Sequence, residues 1–260
     1  MLRASARGGC YRITTAQIGQ IWVRRSIAAT HRLSGDLLLA GKIASGKLND
    51  VHVEVALDER GAGDAQQRGE IADLAAQLQM EQIFYLDLGE PFLSPRVTQE
   101  LPLLRAKNPN ARIVISTNGV LLNTDAKREA ALNVSQILFS VHGISNEMCR
   151  KYMHRADFDK AFEAMRAMVK YRDARGAKKP ILEWKYLYFN WNDHPKTLAR
   201  AIEMAKEIGV DIISFWPTNN PFYGASWRYR LGLLNQFGAA CWKGREIILR
   251  PENVPAGERH

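Results

Sequence analysis

The chain has 260 residues, 46% of them hydrophobic, and its 36 lysines and arginines exceed its 27 acidic residues by +9. This length and apolar content predict one sizeable core and one main domain. No run of residues is long and apolar enough to cross a membrane, so we expect no membrane partner. Three scattered cysteines, Cys10, Cys149 and Cys241, argue against a disulfide framework and favour a reducing, cytoplasmic compartment.

The first 50 residues carry most of the positive charge. They contain eight lysines and arginines against two acidic residues, a net of +6, with the arginines set among Ser, Thr and Ala. This composition is shared by organellar transit peptides, by basic tails that bind nucleic acid and by stretches from an altered reading frame or a mis-assigned start. We expect residues 1–50 to be a basic N-terminal extension, poorly ordered or not native to the domain.

From Val51 the pattern changes to short strands that alternate with helices. Valines alternate with polar residues over Val51–Val55, which predicts a first strand, and apolar residues recur at helical spacing over Ile71–Leu78. The next run, Ile83–Leu88, is apolar and ends abruptly in Gly89-Glu90-Pro91. Such a run is typical of a buried parallel strand, whose carboxyl end faces the ligands in this class of sheet.

A second strand and turn follow after one helix. Ser94-Pro95 predicts the N-cap and first position of that helix, with Val97, Leu101 and Leu104 on its buried face. The strand Arg112–Ser116 then ends in Thr117-Asn118-Gly119. Two parallel strands joined by a helix bring both turns to the same rim of the sheet.

The alternation continues to residue 216. We predict helices at 121–132, 158–175 and 193–208 and strands at 136–141, 181–189 and 211–216. Six βα units with right-handed crossovers predict an α/β fold, a partial (β/α)6 TIM-like barrel that is open on one side. The predicted domains are the extension 1–50, the barrel 51–218 and a turn-rich C-terminal extension 219–260.

Several turns at the strand ends resemble the radical S-adenosylmethionine (radical SAM) superfamily in order and spacing. Gly89-Glu90-Pro91 is similar to the turn after the family's second strand, and Thr117-Asn118-Gly119 to the turn after its third. Ser140-Val141-His142-Gly143 resembles its Ser-Ile-Asp-Gly turn, and residues 151–159 resemble the Tyr-x-x-x-Arg, Phe-Asp continuation. Residues 183–193 and 209–211 resemble a SPASM-type subgroup, in which C-terminal cluster domains occur.

The resemblance implies an oxidoreductase chemistry. A [4Fe-4S] cluster held by a C-x3-C-x2-C loop reduces S-adenosylmethionine (SAM) in that family, and the resulting 5′-deoxyadenosyl radical abstracts hydrogen from the substrate. An active enzyme of this kind needs a reductant such as flavodoxin or ferredoxin. The substrate is not readable from the sequence, and a nucleic acid is not the expected partner.

The resemblance also implies a set of SAM-binding residues. Gly89, Glu90 and Pro91 would hold the methionine ammonium, with Thr117 and Asn118 beside them. Glu90 has a plainer alternative, since an acidic residue before a proline also caps the start of a helix.

The later strands contribute the remaining binding residues that the resemblance implies. Ser140 would lie near the ribose, Lys185 or Asn190 near the carboxylate, and Trp216 with Pro217 beside the adenine. We expect the turns of all these strands to open onto one cavity at the carboxyl ends of the strands.

The loop that should hold the cluster lacks its ligands. Residues 57–69 contain no cysteine, and Cys10, Cys149 and Cys241 are too far apart in sequence to form a tripod within one loop. Because cluster irons are held by cysteine thiolates, we assign no metal ligands and expect no cluster at the family's site. Cys149 with His142 and His154 is a weak zinc pattern that is more often unliganded.

Three hypotheses of function stay open. The chain is a radical SAM enzyme or a copy whose cluster loop is lost, a cluster-less protein that binds SAM or a nucleotide, or an interaction protein with a basic tail. Two aromatic patterns also have plain structural interpretations. Trp184, Tyr186 and Tyr188 alternate along one strand and suit one packed face, and the aromatics and arginines of 222–230 either cover the open edge or stack on bases.

Overall fold

The structure, a computed structural model, describes residues 72–77, 79–85 and 90–237 together with the backbone of six strands outside them. The chain divides into two units, residues 1–115 and 116–260. Within the described residues, no helix combines the length and hydropathy that crossing a membrane requires.

Four strands of the first unit are described ahead of residue 72. These are β1 Arg3–Arg7, β2 Cys10–Thr14, β3 Ile18–Arg25 and β4 Val51–Leu57. Strand β2 pairs with β1 in antiparallel fashion and with β4 in parallel fashion, while β3 pairs with β4 in antiparallel fashion. The predicted first strand is therefore a strand, but β3 separates it from the next strand, Gln82–Tyr85. Of residues 1–50 the structure describes only these strand backbones, so the predicted extension stays a prediction.

The rest of the first unit has the predicted strand, helix and strand. Helix α1 covers residues 72–77, strand β5 is Gln82–Tyr85, and a 3-10 turn at Pro91–Leu93 leads to helix α2, Val97–Lys107. Strand β6, Arg112–Thr117, runs parallel to β5 with Tyr85 opposite Ile115. Helix α2 buries Val97, Leu101 and Leu104, as its spacing predicts.

The start of helix α2 differs from the sequence prediction. Arg96, not Ser94, occupies its N-cap, and no side chain caps it. Ser94 instead ends the preceding 3-10 turn, where its backbone N–H donates to the carbonyl of Pro91. The Ser94 Oγ accepts from the N–H of Arg96 at 3.3 Å. The serine thus turns the chain three residues before helix α2 begins at Val97.

The second unit continues the alternation from the end of β6. Its elements are α3 Asp125–Ala131, β7 Gln136–Ser140, α4 Asn146–Arg150, α5 Phe158–Ala174, β8 Ile181–Tyr188, α6 Pro195–Ile208, β9 Ile212–Pro217, a 3-10 turn Phe222–Gly224, α7 Trp227–Arg230, β10 Ala239–Cys241 and β11 Ile247–Ile248. Strands β7, β8 and β9 are parallel, with Ser140 opposite Lys185 and Lys185 opposite Ser214. Strand β10 pairs with β9 in antiparallel fashion.

Strands β5 to β9 follow one another in sequence order within a sheet. The strands are parallel and each pair is joined through a helical segment, which is the arrangement of an α/β fold. Among the described strands, the two ends of this order do not pair, so the sheet stays open. The predicted class, an α/β fold of the partial TIM-like barrel type that is open on one side, is therefore confirmed.

Two helices of the second unit begin later than predicted. Helix α3 begins at Asp125 rather than 121, because Thr124 occupies the N-cap and its Oγ1 accepts from the N–H of Lys127 at 3.3 Å. Helix α6 begins at Pro195, with His194 at the N-cap. Asp193, predicted to open that helix, is fully buried and bonded elsewhere.

The two faces of strand β8 differ in chemistry. Trp184, Tyr186 and Tyr188 point to one face and are almost completely buried. Trp184 contacts Phe162 of helix α5 edge to face, with 5.9 Å between ring centroids. Tyr188 stacks on Phe215 of β9 at 5.6 Å. The plain structural interpretation of these three aromatics is therefore correct, and the opposite face of β8 carries Glu183, Lys185 and Leu187.

Candidate functional site

The turn after β6 is stabilised by side chains that form hydrogen bonds to backbone N–H groups two residues later in the chain. The Oγ1 of Thr117 accepts from the N–H of Gly119 at 2.9 Å, and the Oδ1 of Asn118 accepts from Val120 at 2.9 Å. Gly119 has a φ of +83°, and a Cβ there would lie 3.1 Å from the Phe139 ring. Thr117 is buried and Asn118 half-buried, so the turn presents Asn118 rather than Thr117 to a ligand.

The turn after β7 packs tightly against helix α4. A Cβ on Gly143 would lie 2.7 Å from the Cβ of Met148, so this position accepts only glycine without movement. His142 is buried, and its Nδ1 accepts from the N–H of Leu187 at 3.2 Å. Burial, and next the nearby Lys185 ammonium, lower the pKa of His142 to about 3. The imidazole is therefore a neutral acceptor that joins this turn to β8.

A cavity of about 370 Å³ opens beside these two turns. Its walls come from the end of β6, the end of β7, helix α4, the following loop and the start of helix α5. The lining residues are Asn118, Val120, Ser140, Val141, Cys149, Met153, His154, Arg155, Ala156, Asp157, Phe158 and Ala161. Small-molecule sites occupy about 300–1,000 Å³, so the cavity has the size of a ligand pocket.

The pocket combines an apolar wall with a few polar groups. Arg155 is exposed at the pocket, and among the described residues its guanidinium has no hydrogen-bond or ion-pair partner. Asp157 caps helix α5, because its Oδ1 accepts from the N–H of Lys160 at 3.1 Å, which lowers its pKa. Burial raises the pKa of the Cys149 thiol to about 11, so this wall is uncharged at neutral pH. An apolar wall with a few convergent polar groups is typical of a small-molecule site.

The sequence prediction identified part of this pocket. Asn118 and Ser140 line it, whereas Lys185, Asn190, Trp216 and Pro217 are not among its walls. The main lining residues that the prediction missed are Cys149, Met153, Arg155 and Phe158. The signal available in the sequence was segment 151–159, which resembles the Tyr-x-x-x-Arg, Phe-Asp segment of the family. The sequence prediction assigned no binding role to it.

A row of polar side chains crosses the opposite face of the sheet from the aromatic residues. The Oγ atoms of Ser116 and Ser140 are 3.1 Å apart, and the strand register continues the row to Lys185 and Ser214. The Lys185 Nζ lies 5.5 Å from the centre of the Trp216 ring. Burial lowers the pKa of Lys185, and the Glu183 carboxylate partly opposes this shift. These residues form what we call the inner row: Ser116, Ser140, Lys185 and Ser214.

Glu183 lies beneath the inner row in a buried network. Its Oε2 accepts from the Nε2 of Gln136 at 2.6 Å, and its Oε1 accepts from the hydroxyl of Ser214. The Ser214 oxygen also accepts from the Nε1 of Trp216 at 2.9 Å. Each carboxylate oxygen therefore accepts a hydrogen bond. The network also fixes the Trp216 ring, which is 37% exposed.

Asn190 and Pro217 sit at the C-terminal side of the second unit. The Asn190 Nδ2 donates to the carbonyl of Tyr223 at 2.8 Å, and its N–H donates to Gly224 at 2.9 Å. Asn190 thus holds the 222–224 turn, and it is exposed, as is Pro217. Their predicted roles beside the SAM carboxylate and the adenine stay predictions.

The loop after β8 contains two buried scaffold residues that the sequence prediction did not assign. Asn192 donates to the carbonyl of His142 at 2.8 Å and accepts from the N–H of Phe189 at 2.7 Å. Asp193 accepts from the hydroxyl of Ser226 at 2.5 Å and from Arg228 at 2.6 Å. These bonds join the strand end to the turns on either side of it.

In the first unit, Glu90 is placed as a cap. Its Oε1 accepts from the N–H of Phe92 at 3.2 Å, and the buried Pro91 is the first residue of the 3-10 turn. This geometry is that of the capping alternative. Gly89 lies outside the described residues, and the ammonium-binding role of the three residues stays a prediction.

The described residues do not offer a metal centre. No group of three or more His, Cys, Asp or Glu side chains within them is arranged to hold a metal ion. Cys149 is a buried neutral thiol, whereas cluster and zinc ligands are thiolates. The interpretation of Cys149, His142 and His154 as unliganded stays a prediction. The residues present also do not fit a [4Fe-4S] cluster, because the loop 57–69 has no cysteine in its sequence.

The model of the radical SAM superfamily matches residues 56–174, which include both turns and the pocket. This segment belongs to the radical SAM superfamily. Coproporphyrinogen III oxidase (HemN) from Escherichia coli, a radical SAM enzyme, is a similar solved structure, at 15% identity and a TM-score of 0.46. That match covers 71% of this chain and 50% of the enzyme, so the chain spans about half the enzyme's length. Among curated proteins, none matches the chain.

Proposed function

We propose that this chain binds S-adenosylmethionine in the pocket at the ends of β6 and β7, as a radical SAM superfamily member without the family's own cluster. The pocket's position carries the proposal: it lies within the matched segment 56–174, at the carboxyl ends of two parallel strands. Asn118 and Ser140, which the resemblance assigned to SAM, both line it. SAM, when bound, supplies an amino-acid carboxylate, a sulfonium and an adenosyl group.

The residues present suit such a ligand. Phe158, Met153 and Val120 offer an apolar surface for a flat base or a thioether-like carbon chain. Ser140 offers a hydroxyl to a ribose, and Arg155 offers a guanidinium to a carboxylate. The capped helix α5 and the tight turn at Gly143 hold these groups on rigid elements.

Titration calorimetry of SAM into the full chain tests this proposal. We expect saturable binding that weakens by about tenfold in Arg155→Ala, since a hydrogen bond to a charged group contributes about 1.5–3 kcal/mol. Arg166→Ala is the matched control, because Arg166 pairs with Glu163 on the exposed side of α5 and does not line the pocket. Equal affinities in the two variants, or no binding to the wild-type chain, contradict the proposal.

The second candidate function is radical catalysis with a cluster, which the family match itself favours. It requires three thiolates from Cys10, Cys149 and Cys241, since the chain has no other cysteines. The environment of Cys149 argues against this second function, because its thiol is buried and has a raised pKa. Iron quantitation after reconstitution separates the two candidates.

A further inference from the structure

The inner row has more hydrogen-bond donors than acceptors. The Lys185 ammonium carries three N–H groups, and the described residues give it neither a hydrogen-bond acceptor nor an ion-pair partner. Its only described neighbour of opposite charge is Glu183, whose two oxygens already accept from Gln136 and Ser214. Lys185 is half-buried, so solvent hydrates it only partly.

The serine pair beside Lys185 adds one more unused donor. Two hydroxyls that share one hydrogen bond leave the hydrogen of the accepting hydroxyl with no acceptor among the described residues. Ser116 and Ser140 are both half-buried, so a ligand can approach this pair. The strand register places Ser140 directly opposite Lys185, at the spacing of adjacent parallel strands, about 4.8 Å.

An ammonium and a hydroxyl at paired positions of two adjacent strands, on one face of the sheet, suit the oxygens of one anionic group. A carboxylate or a phosphate supplies two or more acceptors and neutralises the charge, and charge-assisted bonds are the strongest of the hydrogen bonds available here. A neutral ligand leaves the ammonium with only the partial compensation that the Glu183 carboxylate gives. The Trp216 ring, fixed by its bond to Ser214, offers an adjoining aromatic face.

The position of Lys185 separates this anion from SAM. Lys185 and Trp216 are absent from the walls of the 370 Å³ pocket, whereas Ser140 belongs to both the pocket and the inner row. A molecule that reaches Lys185 therefore lies beside the pocket, on the inner face of the sheet. We propose that Lys185, with the Ser116 and Ser140 hydroxyls, binds the carboxylate or phosphate of an anionic substrate that is a separate molecule from SAM. This inference rests on the proposed function for the assignment of the pocket.

The test is titration of the full chain with inorganic phosphate and, separately, with citrate at low salt. The variants are Lys185→Met, Lys185→Arg and the control Lys196→Met, whose ammonium is exposed and does not belong to the inner row. We expect saturable binding of at least one anion, weakened by about tenfold in Lys185→Met and kept within about threefold in Lys185→Arg and Lys196→Met. Binding of phosphate alone indicates a phosphate ester, and binding of citrate alone indicates a carboxylate.

A SAM titration of the same variants separates this inference from the proposed function. SAM affinity that stays within about threefold in Lys185→Met, while anion binding is lost, supports a second molecule. If Lys185→Met weakens SAM and leaves the anions unchanged, Lys185 serves SAM and the inference is overturned. Absence of saturable binding of both anions to the wild-type chain also overturns it. If the anions bind through Lys185 and SAM does not bind at all, the proposed function fails while the anion site stands.

Discussion

The two faces of strand β8 show how one stretch of sequence serves packing and binding at once. Trp184, Tyr186 and Tyr188 alternate with Glu183 and Lys185, so one face is aromatic and the other polar. The aromatic face is almost completely buried and contacts helix α5 and strand β9. The polar face keeps an ammonium that the described residues leave without a hydrogen-bond partner. We infer that the first face stabilises the fold and the second serves a ligand.

The largest expected effect is on the aromatic face. Trp184→Ala removes a fully buried indole and its 2.7 Å bond to the carbonyl of Val141, so we expect a loss of about 3–5 kcal/mol in the free energy of unfolding. Leu187→Ala is the matched control, because Leu187 is half-buried on the other face of the same strand. Urea unfolding of both variants measures the difference. A larger loss in Leu187→Ala contradicts the division between the faces.

The second effect concerns the loop that follows the strand. Asn192→Ala removes an amide that bonds to His142, Leu187 and Phe189. Because each buried group left unpaired costs about 1–3 kcal/mol, we expect a loss of about 2–4 kcal/mol. The neighbouring Asn190→Ala, an exposed site with one side-chain bond to Tyr223, is the control. Equal losses in urea unfolding indicate that burial does not distinguish the two asparagines.

The third effect depends on pH and tests the link between the β7 turn and β8. His142 has a folded-state pKa of about 3, well below its ordinary value of 6.5, so the unfolded chain binds a proton that the folded chain does not. The contribution of the neutral imidazole to the free energy of unfolding is fully present above pH 6.5. It is lost as the pH falls toward 3, at up to about 1.4 kcal/mol per pH unit. His142→Asn keeps an acceptor but does not titrate, so its stability should change less over this window. Parallel curves for the two proteins contradict the buried neutral imidazole.

The smallest expected effect on stability is on the inner row. Lys185→Met removes a partly buried ammonium that has no ion-pair partner in the described residues, so we expect the free energy of unfolding to change by less than about 1 kcal/mol. Glu183→Leu is the contrasting variant, because it removes the acceptor of both the Gln136 amide and the Ser214 hydroxyl. Thermal unfolding of both compares them. A large loss of stability in Lys185→Met would mean that Lys185 stabilises the fold rather than binding a ligand.

Much of the fold was predictable because it depends on local patterns. The apolar period of Val97, Leu101 and Leu104 gave the buried face of α2, and the alternation of Trp184, Tyr186 and Tyr188 gave one face of β8. Helix starts were less predictable, because Thr124 and His194 cap helices that the apolar pattern alone places earlier. Capping depends on one side-chain bond, which periodicity does not record.

The candidate site was predictable only where a turn motif marks it. Asn118 follows β6, Ser140 ends β7 and both line the pocket, but Cys149, Met153 and Arg155 reach it from helix α4 and the loop after it. Neither the register that aligns Ser140, Lys185 and Ser214 nor the burial of Asn192 is visible in the sequence. Both arise from long-range pairing of strands.

The most direct test of the proposal that this chain lacks the family's cluster is iron quantitation after anaerobic reconstitution with iron and sulfide. The wild-type chain is compared with a Cys10→Ala, Cys149→Ala, Cys241→Ala triple variant. We predict no bound iron above the level of the variant, because the loop 57–69 has no thiolate and Cys149 is a buried thiol. About four irons per wild-type chain, with cluster absorption that the triple variant lacks, would contradict this prediction and return the chain to radical catalysis.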